Sequence, residues 1–221
     1  MYKLSTIRIG SRPSKLALKQ VEEVIEKLGV CDIRFEILTY NTSGDIDKNT
    51  PISEVEGTDF FTDMIEKALL NGEIDMAVHS AKDLPDFITD GLVIAKITKP
   101  IAKEDVLVSK NRLKLFELPK GARIGTSSQR RKQQLKNLRP DLECVNLRGN
   151  IEERIEKLKK DNLDGIIIAR AALIRLGLEE IITEILPLDI FPTHPLQGAL
   201  AIEVRRTDYE LIKLLSQNEN W

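Results

Sequence analysis

Apolar and polar residues along this chain alternate between two periods, and the switch recurs from end to end. Residues 5–10 read with period two, as a strand. Ser11-Arg12-Pro13 then opens a helix, with Pro13 near its first turn. Leu16, Val21, Val24, Ile25 and Leu28 give that helix an apolar stripe at helical spacing. A second strand is expected over 32–40, a long exposed loop rich in Gly, Asp, Asn, Ser and Thr over 41–58, and an amphipathic helix over 60–70 ended by Asn71-Gly72. Further strands are expected over 74–78, 92–97 and 106–109, with a crossover over 100–104 and a short helix and turn over 113–119. The strand–turn–helix rhythm then repeats: strand 122–125 and a helix to Leu138, strand 142–147 and a helix over 151–160, strand 165–169 and a helix ending at Gly177. A segment over 181–190 closes this half, and a last strand at 199–204 and a short helix at 209–215 follow. Such alternation implies α/β architecture with mostly parallel sheets.

The apolar run 74–78 ends in His79, Ser80, Lys82 and Asp83, closed by Pro85. A strand that runs into polar side chains marks the carboxyl edge of a parallel sheet, where open α/β folds bind ligands. Asp83 beside Lys82 offers a carboxylate suited to a developing positive charge. Crossovers near 98–104 and 190–196 divide the chain into two lobes with a cleft between them: residues 1–98 with 194–221, and residues 99–193.

Composition limits the function more than it identifies it. Apolar residues make up 42% and charged residues 31% of 221 residues, with a net charge of −2, which disfavours a general nucleic-acid binder. The amino terminus runs straight into a strand-like segment, and no apolar run is long enough to cross a membrane, so a cytoplasmic protein is expected. Cys31 and Cys144 have no metal-type spacing; together with two histidines, His79 and His194, they supply no metal site. His79 reads as a hydrogen-bonded structural residue.

The second lobe places Arg130, Arg131, Arg148, Arg154 and Arg175 mostly just after strands, at or inside the start of the following helices. Helix starts attract anions, and each guanidinium adds a planar fork matched to carboxylate or phosphate. One such arginine is an ordinary surface charge; five imply a ligand with many acidic groups. Arg12 with Ser14 adds a similar pair from the first lobe. Phosphate and carboxylate are not separable on this evidence, although the chain has neither a G-x-x-x-x-G-K-[ST] nor a G-x-G-x-x-G motif.

Several motifs together resemble the porphobilinogen deaminase (hydroxymethylbilane synthase) family: residues 7–12 with Ser14, Leu16-Ala-Leu18, Thr42-Ser-Gly-Asp45, Ala77-Val-His-Ser-Ala-Lys-Asp-Leu-Pro85, Gly125-Thr-Ser-Ser-Gln-Arg-Arg131, Leu147-Arg-Gly-Asn150 with Arg154, Arg175-Leu-Gly177 and Gln197-Gly-Ala199. The resemblance implies a two-lobed periplasmic-binding-protein-like (type II) fold and a transferase that joins four porphobilinogen units into a linear tetrapyrrole with release of ammonia. It implies that Asp83 stabilises the cationic azafulvene formed as ammonia leaves. It implies that Arg12, Arg130, Arg131, Arg148, Arg154 and Arg175 hold acetate and propionate carboxylates. Ser14, Lys82, Thr126, Ser127, Ser128, Gly149, Asn150 and Gln197 would complete the cleft. A non-catalytic tetrapyrrole or pyrrole-acid binder on the same scaffold is the alternative, and a binder of an unrelated polyanion a weaker one.

Two departures accompany the resemblance. The family carries a dipyrromethane primer on a cysteine in a Gly-Gly-Cys-like loop of a third, C-terminal domain. The sequence stops at Trp221, where that domain would begin, and neither Cys31 nor Cys144 matches the loop. The third domain is therefore expected to be missing, and the primer to be held without a covalent bond or to be absent. The second departure is Glu54-Val-Glu-Gly-Thr-Asp59, where the family has a basic Gly-Lys-Gly-like segment. A monomer with porphobilinogen as its partner, and neither nucleic acid nor membrane, is the expectation.

Overall fold

The computed structural model describes residues 6–29, 33–47, 50 and 58–218. Cys31 and residues 54–57 of the acidic segment lie outside them. The chain forms two compact units, one of Met1–Asp47, Val55–Pro100 and Ala199–Trp221, the other of Lys48–Glu54 and Ile101–Gly198. Residues 194–198, read from sequence as part of the first lobe, group with the second unit.

The first unit contains β1 (Thr6–Ser11), α1 (Lys15–Leu28), β2 (Arg34–Thr39), α2 (Ser43–Ile46), α3 (Asp63–Leu70), β3 (Met76–Ser80), β4 (Leu92–Ile97), β10 (Leu200–Arg205) and α7 (Tyr209–Gln217). Its sheet has the order β2-β1-β3-β10-β4. Ile7, Ile9, Met76 and Val78 face one side of the sheet, against Val21, Val24 and Leu28 of α1 and Leu211 and Leu215 of α7. Ala77 and Leu92 face the other side, against Ile65, Ala68 and Leu69 of α3. That is the period-two alternation of strands met by period-3.6 stripes of helices. Arg8, partly exposed on β1, donates to Asp75 from its backbone N–H, Nε and Nη2 at 2.8–3.0 Å.

The second unit contains β5 (Asp105–Ser109), β6 (Arg123–Gly125), α4 (Gln129–Leu138), β7 (Glu143–Val145), α5 (Ile151–Lys160), β8 (Gly165–Ala169), α6 (Arg170–Leu176) and β9 (Glu184–Leu186). Its sheet has the order β7-β6-β8-β5-β9. Leu107, Ile124 and Ile167 pack with Leu135 of α4 and with Leu115, Leu118, Leu186 and Phe191.

Among the described residues, four strand pairings are parallel and four antiparallel. The sheets are therefore mixed rather than mostly parallel, because β5 and β10 run against their neighbours. Two local expectations also change. Ser43–Ile46 forms a short helix inside the segment read as loop, since Thr42 and Asp45 make a reciprocal capping box. Residues 113–119 form a turn held by Glu117 N–H and Leu118 N–H on the Lys114 carbonyl, and its apolar residues Leu115 and Leu118 are buried without a helix.

Candidate functional site

In the first unit β1, β2 and β3 are mutually parallel, so their carboxyl ends share one edge of the sheet. That edge brings Arg12 and Ser14, the turn at 42–45, and Lys82 with Asp83 to one side of the unit. Asp83 ends a single 3-10 turn, Ala81–Asp83, directly after β3, and its side chain is exposed. A cavity of about 90 Å³ opens beside it, lined by Arg12, Ser14, Gln20, Phe61 and Ser80 among others.

The side chains around this cavity are held in place. Ser14 Oγ accepts the Ala17 N–H at 3.2 Å and so caps α1. Buried Gln20 donates to Ser80 Oγ at 2.9 Å, tying α1 to the end of β3. Arg12 Nε donates to both oxygens of Asp45, at 3.1 and 3.0 Å. Burial works against the Arg12 charge, but hydrogen bonding and charge from Asp45, with Asp83 adding its own field, outweigh it and raise the guanidinium above its ordinary pKa. Burial likewise raises Asp45, yet Arg12 and the backbone and hydroxyl of Thr42 hold its carboxyl below the usual range. His79 is buried, as expected of a structural histidine, with Nε2 3.0 Å from Glu203 Oε2.

In the second unit the carboxyl ends of β6, β7 and β8 share an edge, and the amino end of β5 joins them, with Asp105 opposite Ala169. Thr126, Ser127 and Ser128 lead into α4. Thr126 Oγ1 accepts the Ser128 N–H at 3.3 Å, and Ser127 Oγ accepts the Leu147 N–H at 2.9 Å. Gly149 has φ 118°, and a Cβ there would meet Glu153 Oε2 at 2.3 Å. Only glycine lets Asn150 and Glu153 close the capping box of α5, with bonds of 2.8 and 3.0 Å. Arg154 Nε donates to the Gly149 carbonyl at 2.8 Å, and Arg148 Nη1 donates to the Thr50 carbonyl. Arg175 lies in the last turn of α6 rather than at a helix start, and donates to the Gly198 carbonyl at 3.0 Å.

Two of the residues read as ligand contacts sit beneath this edge. Arg131, 5% exposed, places Nε and Nη2 on Asp105 at 2.9 and 2.6 Å, and Nη1 on the Ile167 carbonyl at 3.3 Å. Gln197, fully buried, donates to Asp105 Oδ1 at 2.9 Å and to the Lys103 carbonyl at 2.8 Å. Arg130 stands further out, donating to the Pro192 carbonyl at 2.7 Å and reaching Asp105 at 3.5 Å. Asp105 is the acid around which this edge is built, and sequence reasoning missed it. Its one signal was an acid in front of the apolar run 106–108. Gln20, Asp45 and Phe61 were missed as well. Among the described residues, no group of three or more His, Cys, Asp or Glu side chains is placed to hold a metal, and no helix is long and apolar enough to cross a membrane.

The family model described as "Porphobilinogen deaminase, dipyromethane cofactor binding domain" matches residues 7–213. The porphobilinogen deaminase of Syntrophomonas wolfei is 45% identical over 216 residues, covering 97% of this chain and 71% of that protein. The Bacillus subtilis one is 48% identical over 217 residues, covering 97% and 69%. Among solved structures, a probable amino-acid ABC transporter extracellular-binding protein from Bacillus subtilis aligns with a TM-score of 0.57 at 13% identity, over 98% of this chain and 91% of that one. A putative methionine-binding lipoprotein from Bacillus subtilis aligns at 0.51 and 15% identity, over 98% and 92%. These two likenesses speak for the fold alone, which is periplasmic-binding-protein-like, type II. On the length and identity of the sequence matches, the chain belongs to the porphobilinogen deaminase family.

Proposed function

We propose that this protein is a hydroxymethylbilane synthase, a transferase of porphyrin and heme biosynthesis that joins four porphobilinogen units head to tail. The observation that carries the reading is the family match across residues 7–213 together with an exposed carboxylate, Asp83, at the carboxyl edge of the first sheet. At each addition the aminomethyl C–N bond breaks and ammonia departs. The resulting azafulvene is a delocalised cation, and Asp83 stabilises it electrostatically and accepts from pyrrole N–H groups. A pyrrole α-carbon of the growing chain then forms the new C–C bond and loses its proton.

Each pyrrole brings one acetate and one propionate. Arg12, Arg130, Arg148, Arg154 and Arg175 bind these by charge-assisted hydrogen bonds. Ser14, Lys82, Thr126, Ser127, Ser128, Gly149 and Asn150 complete the binding surfaces. Arg131 and Gln197 act from below, by fixing Asp105. The protein works as a cytoplasmic monomer, needing neither nucleic acid nor a membrane.

The donor set of the second unit suits a dipyrromethane, whose four carboxylates match several arginine forks and the start of α4. When bound, that group supplies the pyrrole carbon from which the chain grows. Cys144 is a poor anchor for it. It lies within β7, packs against the core of the second unit, and burial pushes its thiol pKa up. Mass spectrometry of the denatured protein tests this: no two-pyrrole adduct should map to Cys144, and finding one there would overturn the assignment.

The functional reading itself is tested by incubating purified protein with porphobilinogen. Consumption with one ammonia released per unit consumed is expected. Arg148→Leu and Arg154→Leu should each weaken substrate binding, more visibly at low salt, because exposed charge is screened over about 10 Å at 0.1 M. No consumption, or consumption without ammonia, would reject the reading.

A further inference from the structure

The turn Thr42-Ser-Gly-Asp45 has no part in the chemistry above, yet it is tied down from three directions. Asp45 accepts Arg12 Nε on both oxygens at 3.1 and 3.0 Å, with Nη2 on Oδ1 as well. The same carboxylate accepts the Thr42 N–H at 3.2 Å and the Thr42 hydroxyl at 2.9 Å. Ser43 is held from the far side: its N–H donates to Asp63 Oδ1 at 3.1 Å and its hydroxyl to Oδ2. Gly44 lies against Phe61, so closely that a Cβ would stand 2.3 Å from the ring. The Phe61 ring in turn lies under Arg12, with the guanidinium carbon 5.3 Å from its centroid. Arg12 is thus fixed along its Nε–Nη2 edge by a carboxylate and across its face by an aromatic ring. Asp63, the first residue of α3, and the capping box of α2 keep that carboxylate from following the arginine elsewhere.

We propose that Asp45 is a positioning residue for Arg12: anchored by Thr42 and by the Ser43–Asp63 contact, it fixes the direction from which Arg12 meets a carboxylate of the pyrrole substrate. This rests on the reading that Arg12 binds porphobilinogen. With the Nε–Nη2 edge on Asp45, the ligand meets the guanidinium from the Nη1 side. An arginine ordered before the ligand arrives loses less freedom on binding, an advantage of about 2–10-fold in affinity for one long side chain. The pair also keeps Arg12 from being an unshielded cation, so recognition depends on aim more than on charge.

The test is a double-mutant cycle on the apparent dissociation constant of porphobilinogen, read from the concentration dependence of the single-turnover rate for the parent, Asp45→Asn, Arg12→Gln and the double variant, with thermal melting alongside. Asp45→Asn should weaken binding about 2–10-fold, the size expected when a pre-ordered side chain is released. Arg12→Gln should weaken it more. In the Arg12→Gln background, Asp45→Asn should change the constant by less than about twofold, because residues acting through one group are non-additive. A purely structural role would lower the melting temperature and weaken binding equally in both backgrounds, and that result overturns the proposal. So does an Asp45→Asn protein that binds like the parent while Arg12→Gln does not. A parent that fails to bind porphobilinogen sinks the functional reading and the positioning role with it. Parent-like binding by Arg12→Gln removes Arg12 from the site and ends the proposal alone. If Asp45→Asn does not fold, Asp63→Asn carries the test. It leaves the Arg12–Asp45 pair in place but frees Ser43, and its loss of about 2–5-fold should vanish in Arg12→Gln; parent-like binding by Asp63→Asn overturns the proposal.

Discussion

Asp83→Asn should leave the fold intact and lower turnover by about 10²–10³, the usual consequence of removing one preorganised group aimed at transition-state charge. The side chain is exposed and stands on a single 3-10 turn, so the amide fits the same space and no core contact is lost. On the proposed mechanism, what disappears is the negative charge that stabilises the azafulvene. The loss should therefore fall on the rate of ammonia release in single-turnover experiments, with porphobilinogen binding changed much less. Turnover within a few-fold of the parent would remove Asp83 from the chemistry. A protein that releases ammonia normally but stalls later would move its role to the bond-forming step.

Arg131→Leu should be the most damaging arginine replacement for stability, at roughly 3–5 kcal/mol, because it strands a buried carboxylate. Asp105 is fully buried, and Arg131 meets both of its oxygens, at 2.6 and 2.9 Å. Gln197 at 2.9 Å and Arg130 at 3.5 Å cannot replace a bidentate fork. Hydrogen exchange should quicken first in β5 and β8, the strands that Asp105 and the Ile167 carbonyl belong to. Asp105→Leu combined with Arg131→Met should recover a good part of the loss, since an apolar pair of similar volume often equals a buried ion pair. Unchanged exchange in β5 would mean that Arg131 is held mainly by something other than Asp105. By contrast Arg148→Leu, at a half-buried position in the segment between β7 and α5, should cost little stability.

The elements were legible because most of them obey one period. Residues 165–169 are a continuous apolar run that is buried in full as β8, and 151–160 carry both an apolar stripe and a capping box. The shared carboxyl edges of the sheets were legible from the rhythm, since parallel strands put the residues that follow them on one side. What local reading could not supply was pairing at a distance. Asp105 meets Arg131 and Gln197 across 26 and 92 residues of sequence, and no window contains all three. From sequence, Arg131 and Arg130 look alike; in the fold the first turns inward and the second outward, one residue apart on α4. The antiparallel course of β10 was hidden for the same reason, because Ala201 faces His79 across more than a hundred residues.

The place of β10 has a consequence for how the protein is made. It lies between β3 and β4, and Leu200–Val204 are buried. On the ribosome β3 and β4 emerge before the 101–198 segment and β10 only after it. For roughly 5–20 s, at about 5–20 residues per second, two apolar strands therefore wait with unpaired edges. The second unit, drawn mainly from one continuous segment, can complete its core in that interval. The first is a sheet with its middle missing, open to any chain that offers a strand. Chaperone demand during synthesis should be concentrated there, and a ribosome stalled with residue 198 just outside its exit tunnel should leave the second unit protected from protease and the first one not.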